Sequence, residues 1–321
     1  MRTWNLMGNR RWLYLASAGV VLASLAAMAV QPALGRPVLN WGVDFTGGTL
    51  LTLRFQDGTV STGQVRAALE PLGLGEAVIQ RVQETGDVSV RTRHLAPEER
   101  RRVEQALRQR VGPFLVLSVD DVGPKIGREL RNVAILGVVV GLALQVVYVS
   151  LRFRSVHFAV AADVALLQDL LLVLGVYALT RATVDSAFVA VLLTVVGYSI
   201  NDTIVVFDRV RENLQLRTRE AFADLVNRSV LEALVRSLNT ALTTLLAIGS
   251  VYLFGGPTVR DFALGLTAAV LTGGWSSIGV ASPLLVDLTQ WAERRAARAA
   301  VPAPAHPARA AAGSRRGRSR A

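Results

Sequence analysis

Apolar residues along this chain gather into six long blocks rather than into amphipathic periods. The blocks run approximately Trp12–Val30, Val133–Leu151, Val156–Leu179, Ala187–Phe207, Leu238–Phe254 and Phe262–Leu285. A bilayer-spanning helix needs about 20 mostly apolar residues, and each block reaches or nearly reaches that length. The fifth is the shortest and borrows residues from its flanks. A helix satisfies its backbone polar groups within one segment, so the pattern predicts six membrane-spanning helices. The first block follows Arg10 and Arg11, and Ala27-Met28-Ala29 resembles a signal-peptide cleavage site. Its length fits a full span better than a signal-peptide core, which predicts an uncleaved anchor.

The stretch between the first two blocks changes period. Thr49–Phe55 reads as a strand, and Ser61–Leu69 as a helix with Ser61 or Thr62 as its N-cap. Ala77–Gln83 and Asp87–Thr92 read as strands joined at Glu84-Thr85-Gly86. Pro97–Arg110 reads as a helix with Pro at its start, and Phe114–Val119 as a last strand. The order β-α-β-β-α-β predicts a ferredoxin-like domain. The fold class is therefore a polytopic α-helical membrane protein of six transmembrane helices, with an external α+β ferredoxin-like domain between helices 1 and 2.

The expected units are 1–39 (N-terminus and helix 1), 40–130 (external domain), 131–291 (five-helix bundle) and 292–321 (basic tail). Within the bundle, 208–237 is expected to be a cytoplasmic amphipathic segment. Its apolar face of Phe222, Leu225, Val226 and Val230 suits the membrane surface or the bundle. The tail of Ala, Pro and Arg is expected to be disordered, in contact with anionic lipid or a partner.

Arginine placement then sets an orientation. One set of connections holds Arg2, Arg10 and Arg11; Arg152 and Arg154; Arg209, Arg211, Arg217, Arg219, Arg228 and Arg236; and Arg294, Arg295 and Arg298. The opposite short loops hold Arg181 and Arg260. The positive-inside rule predicts both termini in the cytoplasm and the long Leu39–Arg131 segment outside. This accounts for most of the net charge of +11 without nucleic acid as a partner.

The chain has no cysteine, which excludes disulfides, thiolate metal sites and cysteine nucleophiles. His94, His157 and His306 have no metal-ligand spacing, and no Walker, HExxH or GxSxG motif is present. No metal, cofactor or ordinary catalysis is expected.

Acids at membrane depth are expensive, about 2.5–3.5 kcal/mol on insertion scales, and mark function by default. Asp169 lies in the third block and Asp202 in the fourth; Asp163 and Asp208 lie nearer block ends, within reach of water. Tyr198 and Asp202, four apart, share a helical face that Thr194 continues, and Asn201 adjoins it. Arg236, Asn239, Thr240, Thr243 and Thr244 form a polar stripe at the start of the fifth span. Asp202 and Arg236 can approach if these helices are neighbours. A proton relay, polar packing and a fixed ion channel are all compatible with this pattern. Gly137 and Gly141 form a GxxxG, Gly265, Gly273, Gly274 and Gly279 make the last span permissive, and Pro283 is expected to kink its end.

Four motifs resemble the SecF family. They are Asn40-Trp41-Gly42-Val43-Asp44-Phe45-Thr46-Gly47-Gly48-Thr49; Val122-Gly123-Pro124-Lys125-Ile126-Gly127 with Glu129-Leu130; the run from Val196 to Asn213; and Arg236-Ser237-Leu238-Asn239-Thr240 with Leu242-Thr243-Thr244. The resemblance extends to about Trp291. It implies membership of the resistance-nodulation-division superfamily and a proton-driven accessory role in Sec-dependent protein translocation across the cytoplasmic membrane. The implied partners are SecD, a SecYEG-like channel, YajC, the secreted polypeptide and membrane lipid. Asp202 matches the family's proton-pathway aspartate, Arg236 and Thr240 match polar positions of the fifth span, and Asp169 matches the acid of the third. Many relatives have His-Asp where this chain has Gln168-Asp169, which removes a histidine relay. The rival functions are a non-conducting scaffold for SecD and the translocon, and a small-molecule exporter.

Overall fold

The computed structural model describes residues 4–81, 86–216 and 220–299. The expected turn at Glu84-Thr85, the end of the strand before it, Arg2, Arg217, Arg219 and the basic tail from residue 300 on lie outside the described residues; residues 292–299, expected to be disordered, instead continue the last helix.

After α1 (Arg10–Ala33) comes a short segment, β1 (Asn40–Trp41) and α2 (Val43–Thr46), and then the α+β domain. The domain holds β2 (Gly48–Phe55), α3 (Thr62–Leu69), β3 (Val78–Arg81), β4 (Val88–Thr92), α4 (Pro97–Arg110) and β5 (Phe114–Val122). Its sheet is antiparallel in the order β3-β4-β2-β5, the ferredoxin-like arrangement read from the sequence. Strand alternation buries Leu51, Leu53 and Phe55 of β2 and Val88 and Val90 of β4. These pack against Val65 and Leu69 of α3 and Val103 and Leu107 of α4. Ser61 is the N-cap of α3. Its Oγ accepts from the Gln64 amide (3.2 Å), and its own amide donates to Gln64 Oε1 (2.8 Å), a reciprocal capping box.

Among the described residues, six helical segments are long and apolar enough to cross a membrane. They are α1, α5 (Pro124–Phe153), α6 (Val156–Thr180), α7 (Ser186–Gln215), α8 (Phe222–Phe254) and a last one that joins α9 (Pro257–Ser276) to α10 (Ser282–Ala299) through a π-helical turn at Ser277–Ala281. The chain is thus a multi-pass membrane protein. α6 packs against α1, α5, α7 and α9, and α7 packs against α8 and α9.

Three expected boundaries move. α5 begins at Pro124, well before its apolar block, because Pro at the first turn starts a helix cleanly. Segment 208–237 is not a separate surface helix: α7 runs on to Gln215 and α8 starts at Phe222. Leu225, Val226 and Val230 join Phe153, Phe207 and Val210 in one buried cluster, with Phe222 packed against it. No Pro or Gly interrupts the end of α7, and ion pairs of Arg152 with Asp208 and of Arg209 with Glu232 hold its polar turns. The last span continues past Leu285, and a π turn at Ser277–Ala281 stands just before Pro283. Pro283 has no N–H to donate, and the wider turn, closed by the Ser282 amide on the Ser277 carbonyl, accommodates that loss.

The α+β domain is stitched to the bundle. β1 pairs in parallel with β6 (Thr183–Val184), and the Gly42 amide donates to the Val184 carbonyl (2.8 Å). Gly47 (φ +71°) and Gly48 (φ +128°) take backbone that an L side chain resists. A Cβ at Gly48 would fall on the carbonyl oxygen of Thr92, and one at Gly47 would lie 2.9 Å from Pro124 Cα. The glycine pair lets β2 enter the sheet while the chain presses against the start of α5.

Gly48→Ala is therefore expected to destabilise the α+β domain by about 1–3 kcal/mol, from backbone strain and overpacking, whereas Gly58→Ala, with open space around it, is expected to change little. Denaturant unfolding of the purified chain measures both.

A second expectation concerns acid. Arg93 and the Ala96 amide pull the Glu99 carboxyl from 4.5 down to about 2. A lowered native pKa stabilises the fold above the unfolded value and is lost as pH falls through the native one. Melting of the domain should lose a component between about pH 4.5 and 2, and Glu99→Gln should flatten that component.

Candidate functional site: two carboxylates inside the bundle

Hydrocarbon provides no water to satisfy a polar side chain, so a buried acid must find donors on neighbouring helices. Asp169, in mid-α6, is fully buried. Its Oδ2 accepts from Ser199 Oγ of α7 and from Ser276 Oγ of α9 (2.7 Å). Its Oδ1 has no hydrogen-bond partner among the described residues. The close approach of α9 to α7 rests on Gly273, where a Cβ would lie 3.2 Å from Ser199 Cα. Gln168 beside it is buried, with Nε2 unpartnered.

Asp202 sits three residues after Ser199 on the same helix. Its Oδ2 is buried without a hydrogen-bond partner among the described residues. Ser237 of α8 and Ser277 of the π turn are the hydroxyls that face it, and Ser237 Oγ is itself unpartnered. Ser277 Oγ meets Thr203 Oγ1 at 3.0 Å and donates to the Gly273 carbonyl (2.9 Å). The two carboxylates are near enough to interact electrostatically. Asp169 is hydrogen-bonded by hydroxyl groups and Asp202 is faced by them, and neither forms an ion pair with a cation among the described residues. Hydroxyls can both donate and accept, so such a set tolerates either protonation state. A π turn inside an α-helix often marks a functional site, and here it places Ser276 and Ser277 opposite α6 and α7.

Other sequence-predicted residues lie further out. Tyr198 faces Thr244 of α8, which makes α7 and α8 the neighbours the argument required. Arg236 is nonetheless exposed and makes no ion pair with Asp202. It lines a cavity of about 470 Å³ at the polar ends of α7 and α8, with Asn201, Asp208, Arg209 and Glu232. Asp208 is paired with Arg152 rather than simply reaching water (2.7 Å). Asn239, Thr240, Thr243 and Thr244 are not buried, and the three threonine hydroxyls return to carbonyls of their own helix. Sequence reasoning missed Ser199, Ser237, Ser276 and Ser277. The signal available was a Ser-Ser pair three residues after Gly273 in an otherwise apolar run.

The glycine-containing motif at residues 40–49 converges on the far end of α7. Phe45 is buried among Leu166, Tyr177, Val184 and Phe188. Asp44 Oδ2 accepts from the Ser186 amide (2.9 Å) at the helix N-terminus, where a carboxylate is favoured. Asp185 caps the same helix through the Phe188 amide (3.0 Å). Gly42, Gly47, Gly48 and Pro124 shape this junction, with Gly127 of α5 2.9 Å from the Gly47 amide if given a Cβ; Gly123, the N-cap of α5, has open space around it. One helix thus carries the domain junction at one end and Asp202 near its middle.

Residues 102–291 match the family described as "Protein export membrane protein SecD/SecF, C-terminal", and residues 33–59 match the SecD/SecF GG motif. The chain is 41% identical over 303 residues to the protein translocase subunit SecDF of Thermus thermophilus, covering 92% of this chain and 40% of that one. It is 35% identical over 283 residues to the SecF subunit of Desulfurispirillum indicum, covering 85% and 88%, and 36% identical over 293 residues to that of Pseudomonas aeruginosa, covering 91% and 93%. The crystal structure of SecDF from Thermus thermophilus, described as a translocon-associated membrane protein, superposes with a TM-score of 0.80 at 40% identity, over 90% of this chain and 39% of that one. SecDF in its super-membrane-facing form gives 0.66 at 39% identity, over 94% and 40%.

Removing one donor from Asp169 leaves a buried acceptor short. Ser276→Ala should destabilise the bundle by about 1–3 kcal/mol. Thr243→Ala, on the exposed stripe, should stay within about 0.5 kcal/mol. Thermal unfolding in detergent micelles compares them; equal effects would show that the Asp169 contact carries no weight.

Proposed function

The chain belongs to the SecD/SecF family of protein export membrane proteins, and on that basis we propose that it is a SecF-type subunit that couples proton movement to the translocation of secreted polypeptides. The observation that carries the reading is Asp202: an acid at membrane depth, one oxygen unpartnered, faced by hydroxyls of two other helices and not held by a cation. An acid locked by an arginine would be a structural ion pair. One solvated by hydroxyls can gain and lose a proton.

Protonation of Asp202 changes the charge between α7 and α8. Displacement of these helices would then alter its access to the cavity that holds Arg236 and Glu232, which begins at the adjacent Asn201. Arg236 and Thr240 act on this path rather than as fixed partners of Asp202. Asp169 holds α6, α7 and α9 in register beside it. α7 also carries the docked motif at its other end, so its movement reaches the α+β domain, which engages the emerging chain. The membrane potential contributes about 2.3 kcal/mol per charge per 100 mV. That biases a two-state element and is small beside the 5–15 kcal/mol that holds a domain folded.

The partner is a SecD-type half. The chain spans about 40% of the SecDF chain of Thermus thermophilus. The stripe of Arg236, Asn239, Thr240 and Thr243 lies exposed on a membrane helix, where polar groups need cover. A SecYEG-like channel, with YajC beside it, receives the assembly. The arginine-rich connections favour both termini in the cytoplasm and the α+β domain outside the cytoplasmic membrane.

Asp202→Asn keeps the shape and removes the charge. In cells or vesicles with the SecD-type partner, it is expected to abolish proton-gradient-dependent secretion and proton conductance at normal expression. Asn239→Ala is expected to weaken association with the partner. Full secretion by Asp202→Asn would reject the relay and favour a non-conducting scaffold.

A further inference from the structure

Three arginines with no carboxylate beside them converge where the sheet meets the end of the bundle. A cavity of about 510 Å³ is lined by Arg36, Trp41, Val78, Gln80, Arg91 and Arg181 among others, and no acidic residue lines it among the described residues. Arg36 follows α1 by three residues, Arg181 follows α6 by one, and Arg91 reaches down from β4 on the face of the sheet opposite the domain helices.

The guanidiniums of Arg91 and Arg181 are held by neutral acceptors. Arg91 donates to the Trp41 carbonyl and to Asn40 Oδ1 (2.8 Å), and its Nε is buried without a partner among the described residues. Arg181 donates to the Pro37 carbonyl (2.8 Å), and Asn40 Nδ2 donates to the Arg181 carbonyl (2.9 Å). Arg36 is exposed and makes no ion pair among the described residues. Burial, and then the charge of Arg181, push the Arg91 guanidinium pKa down; burial, and then Arg36, do the same to Arg181. Preorganised cations without a counter-charge are a receptor for an anion, and arginine forks suit phosphate oxygens.

The position of the cluster identifies the anion. It lies one turn or less beyond the ends of two spans, at the depth of the headgroups. Leu34 and Leu179, 60% and 70% exposed, flank it on the hydrocarbon side. Trp41, 41% exposed, stands at the mouth, as aromatic residues do at a membrane interface. We propose that the cavity bounded by Arg36, Arg91, Arg181 and Trp41 binds the phosphate of an anionic phospholipid, in the leaflet on the α+β domain's side. The headgroup then bridges α1, the α6–α7 turn and the sheet, and the lipid becomes part of the joint between domain and bundle.

The test uses the full chain in phosphatidylcholine vesicles that contain a minor fraction of brominated phosphatidylglycerol or, separately, of brominated phosphatidylcholine. Bromine quenches nearby tryptophan. The difference between the wild type and Trp41→Phe isolates Trp41. The proposal expects several-fold stronger quenching of Trp41 by the anionic lipid, and loss of that preference in Arg91→Gln/Arg181→Gln. Arg36→Gln breaks no hydrogen bond and should lower the preference by itself, which keeps the test valid if the double variant misfolds. Equal quenching by the two lipids, or a preference unchanged in Arg36→Gln, overturns it. Relief of the quenching by inorganic phosphate would assign the site to a soluble anion, and relief by an acidic peptide would assign it to polypeptide; either also overturns it.

Discussion

An ionisable group inside a membrane bundle must be satisfied by the protein alone, and that constraint organises this structure. Asp169 and Asp202 need donors; serine hydroxyls donate to Asp169 and face Asp202, from helices that come close where their facing residues are small. Gly273 lets α9 approach Ser199, and the end of α9 with the π turn that follows it brings Ser276 and Ser277 inward. Replacing this set by apolar residues would ease packing and remove the chemistry. The bundle retains polarity at that depth and surrounds it with alanine and valine: Ala161, Ala162 and Ala165 of α6 and Val195 and Val196 of α7 are all buried.

α7 connects the two ends of the argument. At its N-terminus it meets Asp44 and Asp185, in its middle it carries Ser199 and Asp202, and at its C-terminal end it forms ion pairs with α5 and α8. A rigid helix shared by a titratable centre and a domain junction is the simplest physical means for one to bias the other. The glycine motif matters here for backbone reasons: Gly47 and Gly48 are left-handed, so the junction closes without side chains in the way.

Much of this was legible in the residues. Six apolar blocks predict the spans because hydrophobic length is a direct physical requirement. The alternation in Thr49–Phe55 and an N-cap at Ser61 or Thr62 predict the sheet domain because they are local. Three features were not legible. The continuity of α7 through Asp208 depends on Arg152 and Glu232, which are distant in sequence. The π turn depends on how Pro283 is accommodated within a packed helix. The position of Arg236 followed a helical stripe correctly, yet the stripe faces outward, toward a surface that this chain does not cover. Serine is nearly neutral in an apolar run, so Ser276 and Ser277 left little trace until α6 was placed beside them.

The central claim is that Asp202 exchanges a proton while buried. Infrared difference spectroscopy of the full chain with its SecD-type partner in vesicles reads the carbonyl stretch of protonated carboxyl groups as the bathing pH is changed. The account predicts a buried-carboxyl band that titrates in the wild type and is missing from Asp202→Asn. A band set identical in the two proteins, with no pH-dependent change assignable to that residue, would contradict it.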